Sequence, residues 1–210
     1  MKNILILGGA GFIGTKLSLG LVKKGYRVTV LDCFSEQVHG ADYQQSYLYT
    51  EIKDHVNLVV GNVHDTDLLL GLLQKNEVVV HLASETGTAQ SMYRMQRYTE
   101  VNIGSVAVLM DTLVNHKTSI QKVFLGSSRA VYGEGKYKNK KGEVIHPNLR
   151  SMANLANGMF DIIDEQTGEV LQLEATDESS HINPVSIYGF SKYAQEQLVK
   201  ITCQTYGIDY

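Results

Sequence analysis

The first fourteen residues combine a short apolar segment with three regularly spaced glycines. Asn3–Leu7 has the composition of a strand buried on both faces, and Gly8, Gly11 and Gly14 follow it directly. Glycine permits the backbone angles of a tight turn and lets an anionic group approach the main chain closely. A helix that begins at such a turn presents free N–H groups and the positive end of its dipole. The pattern therefore predicts a strand–turn–helix unit that binds a pyrophosphate.

Strand-like apolar runs and helical patterns alternate along the rest of the chain. We predict further strands at 27–31, 56–60, 78–82 and 122–126, and helices at 12–24, 65–75, 92–115 and 188–206. Such alternation requires crossover connections, which are right-handed, so the fold class is α/β with a Rossmann-type doubly wound parallel sheet. Ligands then bind at the carboxyl ends of the strands.

One segment, 134–182, departs from this alternation. Its polar composition suits a surface insertion better than a layer of the core, and the turn residues at 166–169 predict a hairpin. The lysine-rich stretch 136–141 is interpreted as a solvated face, with a phosphate site as the alternative. We therefore expect a single domain over 1–210 that carries this insertion.

Composition limits the classes of partner. The chain has 210 residues, of which 43% are hydrophobic, and this indicates one hydrophobic core. Its net charge of −3 gives no excess of positive charge that would attract nucleic acid or an anionic membrane. No apolar run has the length of a transmembrane helix, and the first strand leaves no room for a signal peptide. Cys33 and Cys203 are too few for a disulfide framework or a zinc cluster, so we predict no metal site and a cytoplasmic location.

An acidic residue ends the predicted second strand. Asp32 lies where a carboxylate in this kind of fold accepts hydrogen bonds from the hydroxyls of an adenosine ribose and repels a 2′-phosphate. Together with the glycine turn, it predicts a dinucleotide site that prefers NAD to NADP. The alternative interpretation of Asp32 is a turn residue at the end of a strand.

Tyrosine and lysine share one face of the last predicted helix. Tyr188 and Lys192 are four positions apart, so an ammonium lies one helical turn from a phenol. A nearby positive charge stabilises the phenolate, which could then act as a general base and, in the reverse direction, as an acid. Ser127 and Ser128 follow the fifth strand, where a hydroxyl could bind the substrate oxygen. The alternative for the serines is a capping role.

These residues resemble those of a known family. The chain is similar to the extended short-chain dehydrogenase/reductases, in the NAD-dependent nucleotide-sugar epimerase/dehydratase group. The resemblance rests on segments spread in order along the chain: Gly8–Gly14, Asp32, 61–65, 81–84, 101–104, 127–133 and Tyr188–Lys192.

The resemblance implies a role for each matched position. Ser128, Tyr188 and Lys192 would be the catalytic residues. NAD would be held by Gly8, Gly11, Phe12, Ile13, Gly14, Asp32, Asn62, Val63, Leu82, Ala83, Ser84, Asn102, Ser127, Tyr188 and Lys192. Asn62, where the family usually has Asp, and Val63 would border the adenine. Leu82 to Ser84 would run beneath the cofactor, and Asn102 would order the site.

Within this group the resemblance favours an epimerase. Sugar dehydratases usually carry Asp-Glu after the catalytic serine or threonine, and here Arg129 and Ala130 occupy those positions. The expected substrate is a dTDP- or UDP-hexose, oxidised at C4 to a transient ketone and reduced from the opposite face. The alternatives are a 4-ketoreductase or dehydrogenase, and a non-catalytic NAD-binding module. Family members usually pair through helices matching 92–115 and 188–206, which implies a homodimer.

Members of this family are usually longer by a hundred residues or more. We therefore expect this chain to contain a competent NAD site, and the C-terminal part that binds the substrate to be largely absent from it.

Overall fold

A parallel sheet forms the centre of the protein in a computed structural model that describes residues 2–164 and 166–210. Within these residues its five strands are β1 (Asn3–Leu7), β2 (Arg27–Asp32), β3 (Asn57–Val60), β4 (Val78–His81) and β5 (Lys122–Leu125). Their order in the sheet is β3-β2-β1-β4-β5, and every neighbouring pair is parallel. The predicted Rossmann-type α/β sheet is confirmed, and its carboxyl edge collects the turns that follow β1, β2, β4 and β5.

Helices pack on both faces of the sheet and also occur in the connections and in the segment 134–182. They are α1 (Phe12–Lys23), α2 (Glu36–His39), α3 (Tyr47–Ile52), α4 (Thr66–Leu73), α5 (Thr88–Ser91), α6 (Met95–Tyr98), α7 (Gly104–Asn115), α8 (Met152–Ala156) and α9 (Ile187–Tyr206). The bounds of α1, α4 and α9 agree with the sequence prediction to within two residues. No helix in the described part of the chain is long and apolar enough to cross a membrane.

Alternate residues of β1 supply two separate cores. Leu5 and Leu7 belong to a cluster that includes residues of α4, α7 and α9, whereas Ile4 and Ile6 pack with residues of α1 and α3. Because successive side chains of a strand point to opposite faces, a wholly apolar strand requires a layer of helices on each side. This explains why β1 shows no alternation of polar and apolar residues.

The predicted helix at 92–115 is interrupted. Residues 92–94 lie outside it, α6 begins at Met95, and the wider turns of a π-helix cover Thr99–Ile103 before α7 continues. The carbonyl of Asn102 in this segment accepts hydrogen bonds from the Gln195 amide at 2.7 Å and from the Ser105 hydroxyl. π-Turns occur mostly at functional sites, since they redirect side chains and carbonyls away from the regular helical pattern.

The segment 134–182 forms a small structure of its own. Three short antiparallel strands pair in the order β7-β6-β8 within the described residues: β6 (Tyr137–Lys138), β7 (Val144–Ile145) and β8 (Gln172–Leu173). An antiparallel bridge between Ile163 and Val170 closes the predicted hairpin, part of which, Glu165, lies outside the described residues. The side chains of Tyr137, Ile162 and Leu171 form its core.

Acidic side chains pair with the lysine-rich stretch. Lys136, Lys138 and Lys140, within and on either side of β6, contact Asp177 at 3.6 Å, Glu174 at 3.0 Å and Glu169 at 2.7 Å. Exposed pairs of this kind contribute little to stability, but they neutralise the lysines. The pairing favours the solvated face over the phosphate site.

The chain returns to the sheet after α9. Gly207 adopts a left-handed conformation (φ 67°), which ends the helix as glycine commonly does. The carbonyl of Asp209 then accepts a hydrogen bond from the Val123 N–H at 2.8 Å, and Asp209 pairs in parallel with Lys122 of β5. Pairing beside β5 thus begins within the last residues of the chain.

Candidate active site

Two glycines of the first turn are fixed by packing. Gly8 has φ +74°, and a Cβ atom placed on it would lie 2.5 Å from the main chain of Ala83, which follows β4. A Cβ atom on Gly14 would lie 2.6 Å from the main chain of Gly9. Any side chain at either position would therefore push the turn away from the sheet or from α1.

Gly11 differs because the space beside it is open. A Cβ atom there would meet only the Gly8 carbonyl oxygen, at 3.7 Å. Gly11 is the N-cap residue of α1 and provides no side-chain cap, and the next two residues, Phe12 and Ile13, are exposed. The first N–H groups of α1 thus face an accessible surface, which suits a bound pyrophosphate.

Asp32 is positioned by the same turn. Its Oδ2 atom accepts a hydrogen bond from the Ala10 N–H, and its Oδ1 atom accepts one from the Phe34 N–H, both at 2.9 Å. Each carboxylate oxygen can accept a second hydrogen bond, so the side chain keeps acceptor capacity for a ligand. Asp32 therefore stabilises the glycine turn and can still accept hydrogen bonds from a ligand bound beside that turn.

The two residues expected beside the adenine have different surroundings. Asn62 is exposed, and its Oδ1 atom accepts a hydrogen bond from the His64 N–H at 3.0 Å. Val63 is buried in the core between the sheet, α4 and α7. Of these two, Asn62 is the one with an exposed side chain that a ligand could reach.

The main chain after β4 lies beside the glycine turn. The Leu82 N–H donates to the Leu7 carbonyl at 2.8 Å, and Ala83 lies against Gly8. The Ser84 hydroxyl donates to the Glu85 carbonyl at 3.0 Å. Leu82 and Ala83 therefore lie beside the glycine turn at the carboxyl end of the sheet, and their contact with a cofactor stays a prediction.

Asn102 connects this loop to the last helix. Its side chain is fully buried, its Oδ1 atom accepts a hydrogen bond from the Glu85 N–H at 2.8 Å, and its Nδ2 atom donates to the Ser191 hydroxyl at 2.9 Å. Ser191 in turn donates to the Tyr188 carbonyl at 2.8 Å. A buried, satisfied polar network of this kind gives the joined segments one defined arrangement.

Tyr188 lies in the first turn of α9 and is half-buried. Its N–H donates to the hydroxyl of Ser91 at 3.0 Å, and its ring meets the ring of Tyr98 edge to face, with 6.3 Å between the centroids. The Tyr98 hydroxyl donates to the Thr86 carbonyl at 2.6 Å. Sequence reasoning missed Ser91 and Tyr98, since nothing in the local pattern indicates that they contact α9.

Lys192 is a buried charge. Its side chain is only 3% exposed, and no hydrogen bond or ion pair to it occurs among the described residues. Burial lowers the pKa of Lys192 to about 8, and Glu196 opposes this change. Since a buried, unpaired ammonium is costly, its presence is typical of a functional site.

The two serines after β5 contact different partners. The Ser128 Oγ atom accepts a hydrogen bond from the Ala130 N–H at 3.2 Å and caps the 3₁₀ turn Arg129–Tyr132. The Ser127 hydroxyl donates to the carboxylate of Glu196 on α9. Ser128 thus has the capping role that the sequence offers as an alternative, while its own hydroxyl hydrogen stays free to donate.

A close contact places the Ser128 turn beside α9. A Cβ atom on Gly189 would lie 2.5 Å from the Ala130 carbonyl oxygen, so the helix can pack here only with a glycine. Gly189 directly follows Tyr188. The carboxyl end of β5 and the first turn of α9 are therefore adjacent.

His81 is a further buried group that sequence reasoning missed. It ends β4, it is fully buried, and neither ring nitrogen has a partner among the described residues. Burial lowers the pKa of His81 to about 3, with the Lys192 charge as a second cause, so the ring is neutral at pH 7. In the described part of the chain, no cluster of three or more His, Cys, Asp or Glu residues could hold a metal ion.

Comparison with known proteins identifies the family. The NAD dependent epimerase/dehydratase family matches residues 4–152, which include the glycine turn, Asp32 and the Ser127–Ser128 pair. The chain belongs to this family. The resemblance derived from the sequence motifs is thereby confirmed at the level of the epimerase/dehydratase family.

Individual relatives within the epimerase/dehydratase family share both sequence and fold. The chain is 34% identical to dTDP-L-rhamnose 4-epimerase of Burkholderia thailandensis, over 95% of this chain and 53% of that protein. It is 30% identical to dTDP-D-glucose 4,6-dehydratase of Dictyostelium discoideum, over 95% of this chain and 40% of that protein. The chain spans about half the length of the curated relatives it matches.

A solved structure from the same group shares the fold. UDP-glucuronic acid 4-epimerase of Bacillus cereus, crystallised with UDP-glucuronic acid and NAD, superposes with a TM-score of 0.70 at 24% identity. The superposition covers 98% of this chain and 54% of that one. At this identity the likeness concerns the fold of the epimerase, which includes the parallel sheet described above.

Proposed function

We propose that this epimerase/dehydratase family member inverts the C4 hydroxyl of a nucleotide sugar, with NAD as cofactor. The observation that carries the proposal is the packing at the start of α9. Tyr188 and the buried Lys192 lie one turn apart there, and the turn that carries Ser128 packs against the same end of the helix. The helix turn and the loop that carry a phenol, an ammonium and a hydroxyl are thus adjacent at the carboxyl edge of the sheet.

The residues at this edge fit NAD. The open space at Gly11 and the uncapped start of α1 suit its pyrophosphate, and Asp32 keeps acceptor capacity for the adenosine ribose. Leu82 to Ser84 would lie beneath the cofactor beside the glycine turn, and Lys192 would be the cation near the second ribose. When bound, NAD would accept a hydride from the sugar C4 and later return a hydride to the same carbon.

The chain's own residues would move the proton. Tyr188 accepts the proton of the C4 hydroxyl during oxidation and returns it to the same oxygen during reduction. Lys192 stabilises the phenolate of Tyr188 through its positive charge, and Ser128 donates a hydrogen bond to the reacting oxygen. The sugar turns over as its 4-keto form between the two half-reactions, so that the product differs only at C4.

The substrate we propose is a dTDP- or UDP-hexose. The Burkholderia relative acts on a dTDP sugar and the Bacillus structure holds a UDP sugar, by their names. Arg129 and Ala130 occupy the positions that would hold the acid and base for eliminating water, and neither side chain can perform that step. Epimerisation is therefore favoured over dehydration.

A turnover assay tests this function. We expect this chain, when joined to a substrate-binding part such as its longer relatives contain, to interconvert a dTDP- or UDP-hexose and its C4 epimer without net consumption of NAD. Product formed with stoichiometric oxidation of NADH would show a ketoreductase instead. NAD binding without conversion of any of these sugars would support a non-catalytic NAD-binding module.

Cofactor preference can be tested at Asp32. We expect NAD to bind at least about 10-fold more tightly than NADP, because the carboxylate repels a 2′-phosphate. Asp32→Asn should reduce this ratio, and isothermal titration with both dinucleotides measures it. Asp67→Asn, which removes an exposed carboxylate on α4, is the matched control. Equal affinity of the unmodified protein for NAD and NADP would contradict the proposed role.

The open space at Gly11 gives a second test. Its φ of −72° is acceptable for alanine, so we expect Gly11→Ala to keep the fold and to weaken NAD binding about 10-fold or more, since a methyl group would occupy the pyrophosphate position. Gly20→Ala, in open space on the same helix, should leave binding unchanged. Unaltered NAD affinity in Gly11→Ala would show that the pyrophosphate lies elsewhere.

We also propose that two copies pair through α7 and α9. These helices pack side by side, and α9 exposes Phe190, Ile201 and Tyr206. Light scattering after gel filtration would report the mass. A monomer at micromolar concentration would contradict the dimer.

A further inference from the structure

Three ionisable side chains follow one another along a single face of α9. Tyr188, Lys192 and Glu196 are spaced by four residues, so each lies about one turn from the next. Glu196 is the one carboxylate within the whole of α9. The sequence motif stops at Lys192, and nothing in the proposed chemistry so far uses Glu196.

Glu196 connects α9 to the end of β5. Its carboxylate accepts a hydrogen bond from the hydroxyl of Ser127, a residue 69 positions away in the chain. A hydrogen bond from a hydroxyl to a carboxylate is charge-assisted and about twice as strong as one between neutral groups. Ser127 directly precedes Ser128, so this bond restrains the hydroxyl proposed to contact the substrate.

Glu196 also acts on Lys192 without forming an ion pair with it. The Lys192 ammonium has no carboxylate within 4.0 Å among the described residues, yet Glu196 is the group whose charge raises its pKa against the effect of burial. Because Ser127 holds the carboxylate, Glu196 exerts its charge from a distance. The ammonium therefore stays free to act on Tyr188 and on a cofactor.

The other ionisable groups around Lys192 supply no compensating charge. His81 on β4 is neutral, burial and Glu85 raise the pKa of Tyr98 on α6, and Glu85 itself is paired with Arg97 at 2.7 Å. On the 3₁₀ turn, the Arg129 guanidinium donates to the Gly133 carbonyl. Among the described groups, Glu196 is thus the unpaired anion that acts on Lys192.

We propose that Glu196 is a positioning residue that holds the Ser127–Ser128 segment against α9 and places a negative charge one helical turn from the buried ammonium of Lys192. The importance of this for turnover rests on the proposed function. The Ser127–Glu196 hydrogen bond and the effect of the Glu196 charge on Lys192 do not depend on that function. Both can be measured in protein that turns over no substrate.

The charge is tested by titrating Lys192 directly. In protein labelled with ¹³C-lysine, the Cε resonance of Lys192, assigned by its loss in Lys192→Met, reports the pKa. We expect Glu196→Gln to lower this pKa by about 0.5 to 1, as one charge removed one helical turn away should. Glu36→Gln, which removes an exposed carboxylate far along the chain, should leave it unchanged. The same Lys192 pKa in Glu196→Gln and in the unmodified protein would overturn the proposed effect of the Glu196 charge on Lys192.

The hydrogen bond is tested by Ser127→Ala and Glu196→Asp. Ser127→Ala removes the donor and keeps the charge, and Glu196→Asp keeps the charge on a shorter side chain. In both variants we expect the amides of the Arg129–Tyr132 turn to exchange with solvent several-fold faster. In Ser127→Ala the Lys192 pKa should not fall, because the Glu196 carboxylate is unchanged. Unchanged amide exchange in both variants would show that the hydrogen bond does not restrain the turn. Should Glu196→Gln not fold, Glu196→Ala takes its place, and an unchanged Lys192 pKa in that variant would overturn the charge assignment.

Failure of this proposal is distinguishable from failure of the proposed function. A protein that binds NAD but turns over no sugar can still show the shifted Lys192 pKa and the faster exchange. Conversely, an active protein in which Glu196→Gln leaves the Lys192 pKa and the pH profile of kcat unchanged would retain the function and lose the positioning role.

Discussion

Replacement of Tyr188 by phenylalanine is expected to lower kcat for sugar epimerisation by about 100- to 10,000-fold, the usual contribution of a positioned acid–base group. The phenol hydroxyl makes no hydrogen bond within the described residues, and the ring edge against Tyr98 is preserved in phenylalanine. The variant should therefore fold and continue to bind NAD. Turnover assays and isothermal titration on the same preparation separate the two effects.

A second tyrosine on the same helix provides the control for Tyr188→Phe. Tyr193 follows Lys192 directly, so it lies on a different face of α9 from Tyr188. Tyr193→Phe removes the same hydroxyl group and should keep full activity. Epimerase activity in Tyr188→Phe equal to that of the unmodified protein would remove Tyr188 from the reaction.

Replacement of Lys192 by methionine is expected to stabilise the protein at pH 7 while abolishing proton transfer. Burial lowers the pKa of Lys192 from its ordinary value of 10.5 to about 8. Below pH 8 the folded protein must keep a charge in a poorly solvated position, a cost of up to about 3 kcal/mol. Methionine has a similar shape and no charge, so the free energy of unfolding should rise by up to that amount.

The gain in stability should depend on pH. Between about pH 8 and 10.5 the unfolded chain binds more protons at Lys192 than the folded protein, so the stability of the unmodified protein rises with pH. The advantage of Lys192→Met is therefore largest below pH 8 and disappears towards pH 10.5. Urea unfolding at pH 7 and at pH 10 measures both values. Lys200→Met, on the exposed side of α9, should show neither effect.

These two expected results have a common physical origin. A lysine placed in the interior destabilises the fold, and the proposed function requires its charge at that position to stabilise the proton-transfer step. Removal of Tyr188 should cost activity with little effect on stability, whereas removal of Lys192 should cost activity and increase stability. A residue selected only for packing would not give a gain in stability together with a loss of activity when it is replaced.

Local sequence patterns predicted the architecture well. The parallel sheet follows from apolar runs that alternate with helical patterns, and the bounds of α1 and α9 follow from helical periodicity. The prediction for 92–115 was wrong in detail, because the π-turns at Thr99–Ile103 depend on the burial of Asn102 between α9 and the loop after β4. Periodicity within one segment contains no information on such a contact.

The candidate site was predicted in part. Gly11, Asp32, Tyr188 and Lys192 were found from motif spacing, and the structure places them at one edge of the sheet or at the start of α9. Their catalytic and cofactor roles remain predictions. No local pattern indicates that Glu196 contacts Ser127.

The sequence by itself determined the strand–turn–helix unit, the alternation that produces a parallel sheet, and the spacing of Tyr188 and Lys192 on one helical face. Each of these depends on residues that are neighbours in the chain, where backbone geometry fixes the outcome. Only the tertiary structure decided which glycine leaves open space, that Lys192 is buried without a partner, and that Glu196 contacts Ser127. These features arise where elements distant in the chain pack together, so local periodicity cannot specify them.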